Sequence, residues 1–212
     1  MKNIIYLLLP FLIFSCSNEE KDLPEDFDYG KTENGFYQNN YFDLEVSFDP
    51  TWIVQNQEQV GELMKKGQRL VAGEDEELKS VIKASMITSA TLLTIFKHEV
   101  GAAVESNPSF LIIAENTAGF PGIKNGKDYL FHSKKLLEQS QLPYYFEKDV
   151  IETQIGDSEF HVLEAKLDIL GKTIIQEYMT TVVNGFSLSF VISYTNDEER
   201  AELNKIIASI KI

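Results

Sequence analysis

The thiol of Cys16 is the side chain with the clearest chemical potential, because it is the only cysteine in the chain and it follows a short apolar segment. Residues 4–14 are apolar, Lys2 precedes them, and Ser15 separates them from the cysteine. A basic start, an apolar stretch of about 7 to 15 residues and a small residue at the cleavage point are the features of a secretory signal. A membrane-spanning helix needs about 20 apolar residues, so we expect residues 1–15 to be removed as a signal peptide.

Residues 13–16, Ile-Phe-Ser-Cys, resemble a bacterial lipobox, in which a branched apolar residue and a small residue precede an acceptor cysteine. The resemblance implies that Cys16 is a lipid attachment site. Its thiol takes a diacylglyceryl group, and the new amino group commonly takes a fatty acyl chain such as palmitate. Each buried methylene contributes about 0.8 kcal/mol, so several chains hold a protein stably where one is marginal. The alternative is an ordinary cleaved signal that leaves a free thiol.

The composition excludes some partners. The chain carries a formal net charge of −14, and no cluster of Lys and Arg appears in it. Nucleic-acid binding and attraction to anionic lipid headgroups both need basic clusters, so we expect neither. A single cysteine allows no internal disulfide, and the fold must therefore depend on one hydrophobic core.

The acidic segment, residues 16–34, separates Cys16 from the folded part. Residues 17–34 contain seven acids and two lysines. Such a segment has too little apolar surface to offset the entropy of ordering, so we expect a disordered tether. Acids just after a lipidated cysteine resemble an export signal to the outer face in some diderm bacteria, and a plain solvated spacer is the alternative. We expect a cell-envelope location, at the outer membrane on its periplasmic or surface face, with the folded domain at residues 35–212.

The folded domain shows strand patterns first. Residues 41–48 alternate between apolar and polar side chains, which is the period of a half-buried strand. Residues 91–97 and 110–116 predict two further strands. Residues 145–194 predict an antiparallel meander with turns at Gly156-Asp157, Gly171 and Asn184-Gly185, and the last pair is the one that a type I′ hairpin favours.

Helical periodicity appears at residues 60–71, with a break near Gly67, and at residues 78–86 and 128–142. A final helix is predicted from Thr195, which has capping-box spacing to Glu198. Short hairpins with helices inserted in groups predict an α+β fold, an antiparallel sheet flanked by helices, rather than a wound parallel sheet.

This arrangement resembles the PsbP-like superfamily, an α/β/α sandwich with a central antiparallel sheet. The resemblance covers residues 35–212 and depends on an opening aromatic pattern, a later Pro-x-Trp and the C-terminal helix. The residues that carry it are Gly35, Phe36, Tyr37, Asn40, Tyr41, Phe42, Leu44, Pro50, Trp52, Ile206, Ile207, Ser209, Ile210 and Lys211. The resemblance implies a domain that binds partners rather than one that catalyses a reaction. No site residue can be carried over from it.

The histidines and the acidic run are the candidate metal ligands of the chain. His98 and Glu99 begin like a zinc-protease motif, but Ala102 stands where the second histidine is required. His132 and His161 fall in a predicted helix and a predicted strand, and ordinary surface or core positions are expected for both. The acids at 74–77 could bind a cation weakly, but the expected role is to complement a helix dipole. We expect no metal ligand and no cofactor.

Residues 171–173, Ser187 and residues 117–127 are further candidates for binding or catalysis. Residues 171–173 and Ser187 only partly match a phosphate-binding loop and a nucleophile elbow, and both fall in predicted hairpins. Residues 117–127 form a glycine-rich loop with the apolar Phe120 and Ile123. Such a loop could hold a partner, but the expected role of Phe120 is to cover one end of the core.

The sequence therefore predicts a membrane-anchored envelope lipoprotein with a non-catalytic binding domain, and an envelope protein is the candidate partner. The first alternative is an accessory structural subunit of an envelope complex. The second is an enzyme whose site joins distant residues such as His161, Glu164 and Tyr178. We expect the protein not to be an enzyme.

Overall fold

The computed structural model describes residue 23, residues 26–169 and residues 171–212. Cys16, the signal at residues 1–15 and most of the acidic segment lie outside these ranges, and the predictions made for them stay predictions. None of the helices in the described ranges has the length and apolarity that crossing a membrane requires.

The described residues form an α+β fold with two antiparallel sheets and four helices. The strands are β1 (Lys31–Glu33), β2 (Phe36–Asn39), β3 (Leu44–Ser47), β4 (Ile53–Val54), β5 (Ser89–Phe96), β6 (Ser109–Asn116), β7 (Tyr144–Tyr145), β8 (Ile151–Ile155), β9 (Ser158–Ile169), β10 (Lys172–Val183) and β11 (Phe186–Tyr194). The helices are α1 (Gln57–Ala72), α2 (Glu76–Thr88), α3 (Gly126–Gln139) and α4 (Asp197–Ala208).

The large sheet has the strand order β4-β5-β6-β11-β10-β9-β7, and β8 also pairs with β9. The β8-β9-β10-β11 meander predicted from the sequence is confirmed, and Asn184 and Gly185 both have positive φ at its last turn, as a type I′ hairpin requires. The predicted strand beginning at residue 145 is divided in the structure into the short β7 and the separate β8.

The layers are those of an α/β/α sandwich. Helix α3 packs on β9 and β10 on one face of the large sheet. On the opposite face, α4 and the three-stranded sheet β1-β2-β3 enclose the main core, to which β5, β6, β9 and β11 of the large sheet contribute inward-facing aromatic and aliphatic residues. The predicted class, an antiparallel sheet flanked by helices, is confirmed.

The three-stranded sheet begins before Gly35, where the sequence placed the start of the folded domain. Strand β1 pairs with β2, and the Phe27 ring packs against the core. The three residues of β1 are all exposed, so they carry no alternating apolar signal. The turn that joins β1 to β2 is Asn34-Gly35, again with positive φ at both residues, and this pair could have indicated the hairpin.

The helices differ from the predictions at several points, and α3, predicted over residues 128–142, spans Gly126–Gln139. Helix α1 runs through Gly67 without the expected break, and it starts at a capping box formed by Asn56 and Gln59. The N-cap of α4 is Asn196, whose side chain accepts from the Glu199 amide, rather than Thr195. The Thr195 hydroxyl instead donates to the Glu199 carboxylate. Helix α2 begins at the acidic run as expected, with Asp75 as its N-cap.

The continuity of α1 can be tested at Gly67. This glycine lies inside α1, and a methyl group at this position would meet no atom within 4 Å. We expect Gly67→Ala to raise the free energy of unfolding by about 0.5–1 kcal/mol, because alanine loses less backbone entropy in a helix. Gly101→Ala is the control: its surroundings are equally open, but its φ is +90°, so we expect destabilisation. Urea denaturation measures both, and a lower midpoint for Gly67→Ala would contradict the continuous helix.

Candidate functional site

A pocket of about 300 Å³ lies where α3 begins against the large sheet. Its polar lining comes from the loop before α3 and from β9 and β10, and includes Lys124, Asn125, Glu159, His161 and Thr181. This volume is at the lower end of the range of about 300–1,000 Å³ found for small-ligand sites. The pocket therefore has room for an ion or a small polar molecule.

Local sequence fixes the start of α3 at this pocket. The Asn125 side chain accepts from the Asp128 amide at 3.0 Å as an N-cap, and the Asp128 carboxylate accepts from the Lys124 amide at 3.0 Å. Gly126 then lies directly on β10, so that an added Cβ would stand 1.9 Å from the carbonyl oxygen of Thr180. The absence of a side chain at residue 126 is what allows the helix to approach the sheet so closely.

Three metal-ligating side chains meet beside this pocket. Glu152 on β8 is the direct cross-strand partner of His161 on β9, and Glu159 lies two residues before His161 on the same face. One ligand atom of each side chain can be chosen so that all three lie within 4.8 Å of one another. No other group of three such residues occurs in the described ranges. These three residues are called the β8–β9 cluster below.

His161 is the buried member of the β8–β9 cluster. It is 8% exposed, and its side chain makes no hydrogen bond or ion pair with any described residue. Its ring nitrogens are not among the fully buried side-chain atoms without a partner, which in the described ranges are the hydroxyls of Thr94 and Ser187, so the imidazole is accessible from the pocket and free to bind a ligand there. Glu152 and Glu159 are exposed, and neither forms an ion pair with a described cation.

The sequence predicts an ordinary surface or core position for His161 and no metal ligand, and it does not predict this cluster. The signal was nevertheless present in the predicted turn at Gly156-Asp157. A two-residue turn there pairs Ile155 with Ser158, and counting back along both strands pairs Glu152 with His161. The other histidines lie elsewhere: His132 is exposed on α3, and His98 follows the end of β5.

The residues suggested for an enzyme do not share one face of the sheet. His161 and Tyr178 lie on the α3 face, because their strand neighbours Phe160 and Met179 point into the main core. Glu164 lies on the opposite face, directly across from Glu177. The structure therefore brings two of the three suggested residues to one side and leaves the carboxylate on the other.

Glu164 and Glu177 are instead members of an ion-pair network. Glu164 accepts from Lys148 at 2.9 Å and lies 3.6 Å from Lys166. Burial acts to raise the pKa of Glu164, but the hydrogen bond from Lys148 and the charges of both lysines outweigh it and lower the pKa.

Glu177 forms the other half of this network. It pairs with Arg200 of α4 at 3.0 Å and accepts from the Tyr194 hydroxyl at 2.6 Å. Both carboxylates therefore already have structural partners on the face opposite the pocket.

Two half-buried tyrosines, Tyr129 and Tyr178, cover part of the α3 face. Tyr129 of α3 donates to Glu115 at 2.6 Å, and Tyr178 donates to the Gln176 side chain at 2.9 Å. Burial raises the pKa of Tyr129, and the neighbouring Glu115 carboxylate raises it further. Burial likewise raises the pKa of Tyr178 well above its ordinary value, with Tyr144 adding to the effect. These phenols stay protonated at neutral pH and act as hydrogen-bond donors rather than bases.

Residues 117–125 form the loop that precedes α3. Phe120 is 47% exposed, so the expectation that it covers one end of the core is wrong, while Ile123 is half-buried. The loop is closed by local turns and is tied to the β10–β11 hairpin, where Thr117 donates from its amide and its hydroxyl to the Gly185 carbonyl. The exposed Phe120 ring therefore has a defined position in the loop before α3, which also lines the pocket.

A second, more open cleft of about 670 Å³ lies between the segment after β3 and α4. Its lining includes Trp52, Lys97, His98 and Lys205. Lys97 already pairs with Glu202 at 2.6 Å. This cleft lacks the unpartnered buried group that distinguishes the pocket at α3.

No model of a known protein family matches the chain, and no characterised protein sequence matches it significantly. Among solved structures, the chain is similar to the protein of unknown function PA94 from Pseudomonas aeruginosa, with 15% identity over 51% of this chain and 76% of the other and a TM-score of 0.41. LpqN, a protein involved in cell envelope biogenesis of Mycobacterium tuberculosis, matches with 15% identity over 58% and 78% and a TM-score of 0.36.

The Ran-binding protein Mog1p of Saccharomyces cerevisiae matches with 10% identity over 86% of this chain and 96% of the other, and a TM-score of 0.42. All three TM-scores are below 0.5, so these similarities carry no argument about function. None of the three is named as a PsbP-like protein, and that resemblance stays a prediction from the sequence.

Proposed function

We propose that the protein is a lipid-anchored lipoprotein of the cell envelope whose folded domain binds a small polar ligand without catalysis. One observation carries the binding proposal: polar side chains from the α3 loop, β9 and β10 converge on one pocket, and the buried His161 in it has no partner among the described residues. A concave site with a few convergent polar groups is the usual form of a small-ligand site.

The separation of the candidate catalytic residues favours binding over catalysis. A general base must come within hydrogen-bonding reach of the group it serves, and Glu164 is on the opposite face of the sheet from His161 and Tyr178. The raised pKa of Tyr178 also removes it as a base at neutral pH.

Native mass spectrometry of the protein extracted gently from membranes tests the binding proposal. We expect a retained ligand, and we expect Lys124→Glu to reduce its occupancy because Lys124 is exposed at the rim of the pocket. Lys31→Glu makes the same charge change on the exposed β1 and should retain the ligand. Extraction without any bound species, or equal loss in both variants, would contradict a ligand site at the pocket.

The anchoring proposal depends on Cys16. We expect Cys16→Ser to remain an unlipidated precursor, because serine offers no thiol to receive the diacylglyceryl group, and to be lost from the detergent-extracted lipoprotein fraction. Mass spectrometry of the N-terminal peptide checks this result. Finding the mature acyl mass on the serine variant, or finding wild-type protein with its leader intact and no acyl chain, would end the lipoprotein proposal.

A second candidate is an accessory subunit of an envelope complex. It is favoured by the exposed apolar residues of α1 and α2, where Leu70, Val81, Met86 and Ile87 are between 41% and 62% exposed. Helices α1 and α2 pack against each other, and exposed apolar side chains that together form a patch on neighbouring helices are typical of protein contact surfaces. Recovery of one stoichiometric envelope protein with the wild type, and its loss on Leu70→Glu or Ile87→Glu, would favour this function.

A further inference from the structure

We propose that the β8–β9 cluster, Glu152, Glu159 and His161, is a binding site for a divalent transition-metal ion of the zinc type. The proposal rests on the proposed function, because the cluster borders the same pocket, and it adds a bound metal ion beside the small polar ligand proposed there. The sequence predicted no metal ligand, and it is the pairing of β8 with β9 that brings the three side chains together.

The backbone of the hairpin sets the geometry of the cluster. Directly opposed residues in an antiparallel pair have Cβ atoms about 4.5–5.5 Å apart, and residues i and i+2 of one strand point to the same face. Glu152 and His161 have the first relationship, while Glu159 and His161 have the second. The ligand atoms lie within 4.8 Å of one another. Tetrahedral nitrogen and oxygen ligands about 2.0–2.2 Å from zinc are about 3.3–3.6 Å apart, so closure requires rotation of the two exposed glutamates that brings the ligand atoms about 1 Å closer.

The electrostatics of the cluster favour a cation. Two carboxylates held this close repel each other, and no cation among the described residues pairs with either. The buried imidazole of His161 likewise has no partner in that part of the chain. A bound metal ion would neutralise the carboxylates and accept the lone pair of a neutral imidazole, which satisfies all three groups together.

The donor set selects the class of metal. One imidazole nitrogen with two carboxylate oxygens suits zinc and its neighbours in the first transition series. Magnesium and calcium prefer oxygen ligands alone, so the histidine disfavours them. Three protein ligands also leave one coordination position for water or for a ligand in the pocket.

Two features limit the affinity. Lys124 and the N-terminus of α3 bring positive charge to the same pocket, which opposes a cation. No described residue orients the His161 ring through its second nitrogen. Loss of such outer partners weakens metal sites by about 10- to 100-fold, and we expect the site to be weaker by that factor than one with an oriented histidine.

Calorimetric titration of ZnCl₂ into the full chain, purified in detergent and stripped with a chelator, tests the inference. We expect saturable binding of one ion per chain, no comparable binding of MgCl₂, and affinities lowered at least about tenfold in His161→Gln and in Glu152→Gln. Glu152 is exposed, so its variant keeps the test valid if His161→Gln fails to fold. Circular dichroism confirms folding of each variant.

Matched controls separate the cluster from general charge effects. Asp157→Asn removes one negative charge from the turn of the same hairpin, and His132→Gln removes an exposed histidine from α3, so neither should change zinc affinity by more than a small factor. No saturable zinc binding to the wild type, unchanged affinity in Glu152→Gln, or an equal loss in Asp157→Asn would each overturn the inference.

Lys124→Glu distinguishes this inference from the broader proposal. The variant removes positive charge near the cluster, so we expect it to strengthen zinc binding while it weakens the retained ligand of the proposed function. Zinc binding without a retained ligand would support the metal site and contradict the broader proposal. A retained ligand without zinc binding would support the broader proposal and overturn the metal site.

Discussion

Gly126→Ala is expected to lower the free energy of unfolding by at least about 3 kcal/mol, because the added methyl group has no space. Its Cβ would stand 1.9 Å from the carbonyl oxygen of Thr180, 2.7 Å from the carbonyl carbon and 3.3 Å from Cβ of His161. Two of these three atoms belong to the backbone of β10, so no side-chain rotation relieves the contact. The start of α3 must move away from the sheet by more than about 1 Å.

The helix propensity of alanine acts in the opposite direction at this position. Gly126 does not have positive φ, and alanine in a helix is favoured over glycine by about 1 kcal/mol. The steric term is larger, so the net effect should remain strongly destabilising. The separation of α3 from β10 should also disturb His161, which lies under Gly126.

Gly122→Ala is the matched control. Gly122 lies in the loop before α3 with no atom within 4 Å of an added Cβ and without positive φ, so we expect a change within about 0.5 kcal/mol. Urea denaturation followed by circular dichroism measures both variants. Equal stability of the two would show that α3 does not approach β10 as described.

A shortened chain that begins at Gly35 should lose at least about 4 kcal/mol of stability relative to one that begins at Asp26. The removed segment includes Phe27, whose ring centroid lies 5.7 Å from that of Tyr41, 6.3 Å from Phe42 and 5.5 Å from Phe186. Removing a packed phenylalanine side chain alone costs about 3–5 kcal/mol when it is fully buried, and Phe27 is half-buried.

The lost hydrogen bonds add to this cost. The hydroxyl of the fully buried Tyr37 donates to the Tyr29 carbonyl at 3.0 Å, and the side-chain amide of Asn39 donates to the Asp28 carbonyl at 2.7 Å. Each buried donor left without a partner costs about 1–3 kcal/mol, less where water can enter in place of the removed segment.

Denaturant titration of the two shortened chains and of Phe27→Ala checks this prediction. The chain from Asp26 serves as the control because it keeps Phe27, both hydrogen bonds and β1. We expect Phe27→Ala to account for part of the loss but not all of it. Identical midpoints for the chains from Gly35 and Asp26 would instead support a domain that begins at Gly35.

Much of the fold could be predicted because its signals are local. The alternating pattern of residues 41–48 appears in the structure as buried Phe42, Leu44, Val46 and Phe48, although only Leu44–Ser47 forms a strand and the chain turns before it, with positive φ at Asp43. The positive φ values at Asn184-Gly185 follow from the chemistry of that pair. Strand β1 was not predicted because its residues are exposed and show no alternation. A break in α1 was predicted because glycine weakens a helix in general, but α1 is capped at Asn56 and continues through Gly67.

The β8–β9 cluster was missed for a different reason. Its members are up to nine residues apart, and only the register of a hairpin converts that separation into a contact. The burial of His161 depends on α3, because Gly126 of this helix lies over it. The sequence pattern of β9 alone cannot predict which helix packs against the strand. Conversely, the separation of Glu164 from His161 follows from strand alternation and was predictable once β9 had been assigned.

The early start of the folded region shortens the reach of the proposed lipoprotein. Ten residue steps separate Cys16 from Asp26, and a fully extended chain covers at most about 3.3–3.6 Å per residue. An acylated Cys16 would therefore confine the start of the domain to within roughly 35 Å of the bilayer surface. If the lipoprotein proposal holds, any partner of the domain would have to reside at, or come close to, the same leaflet.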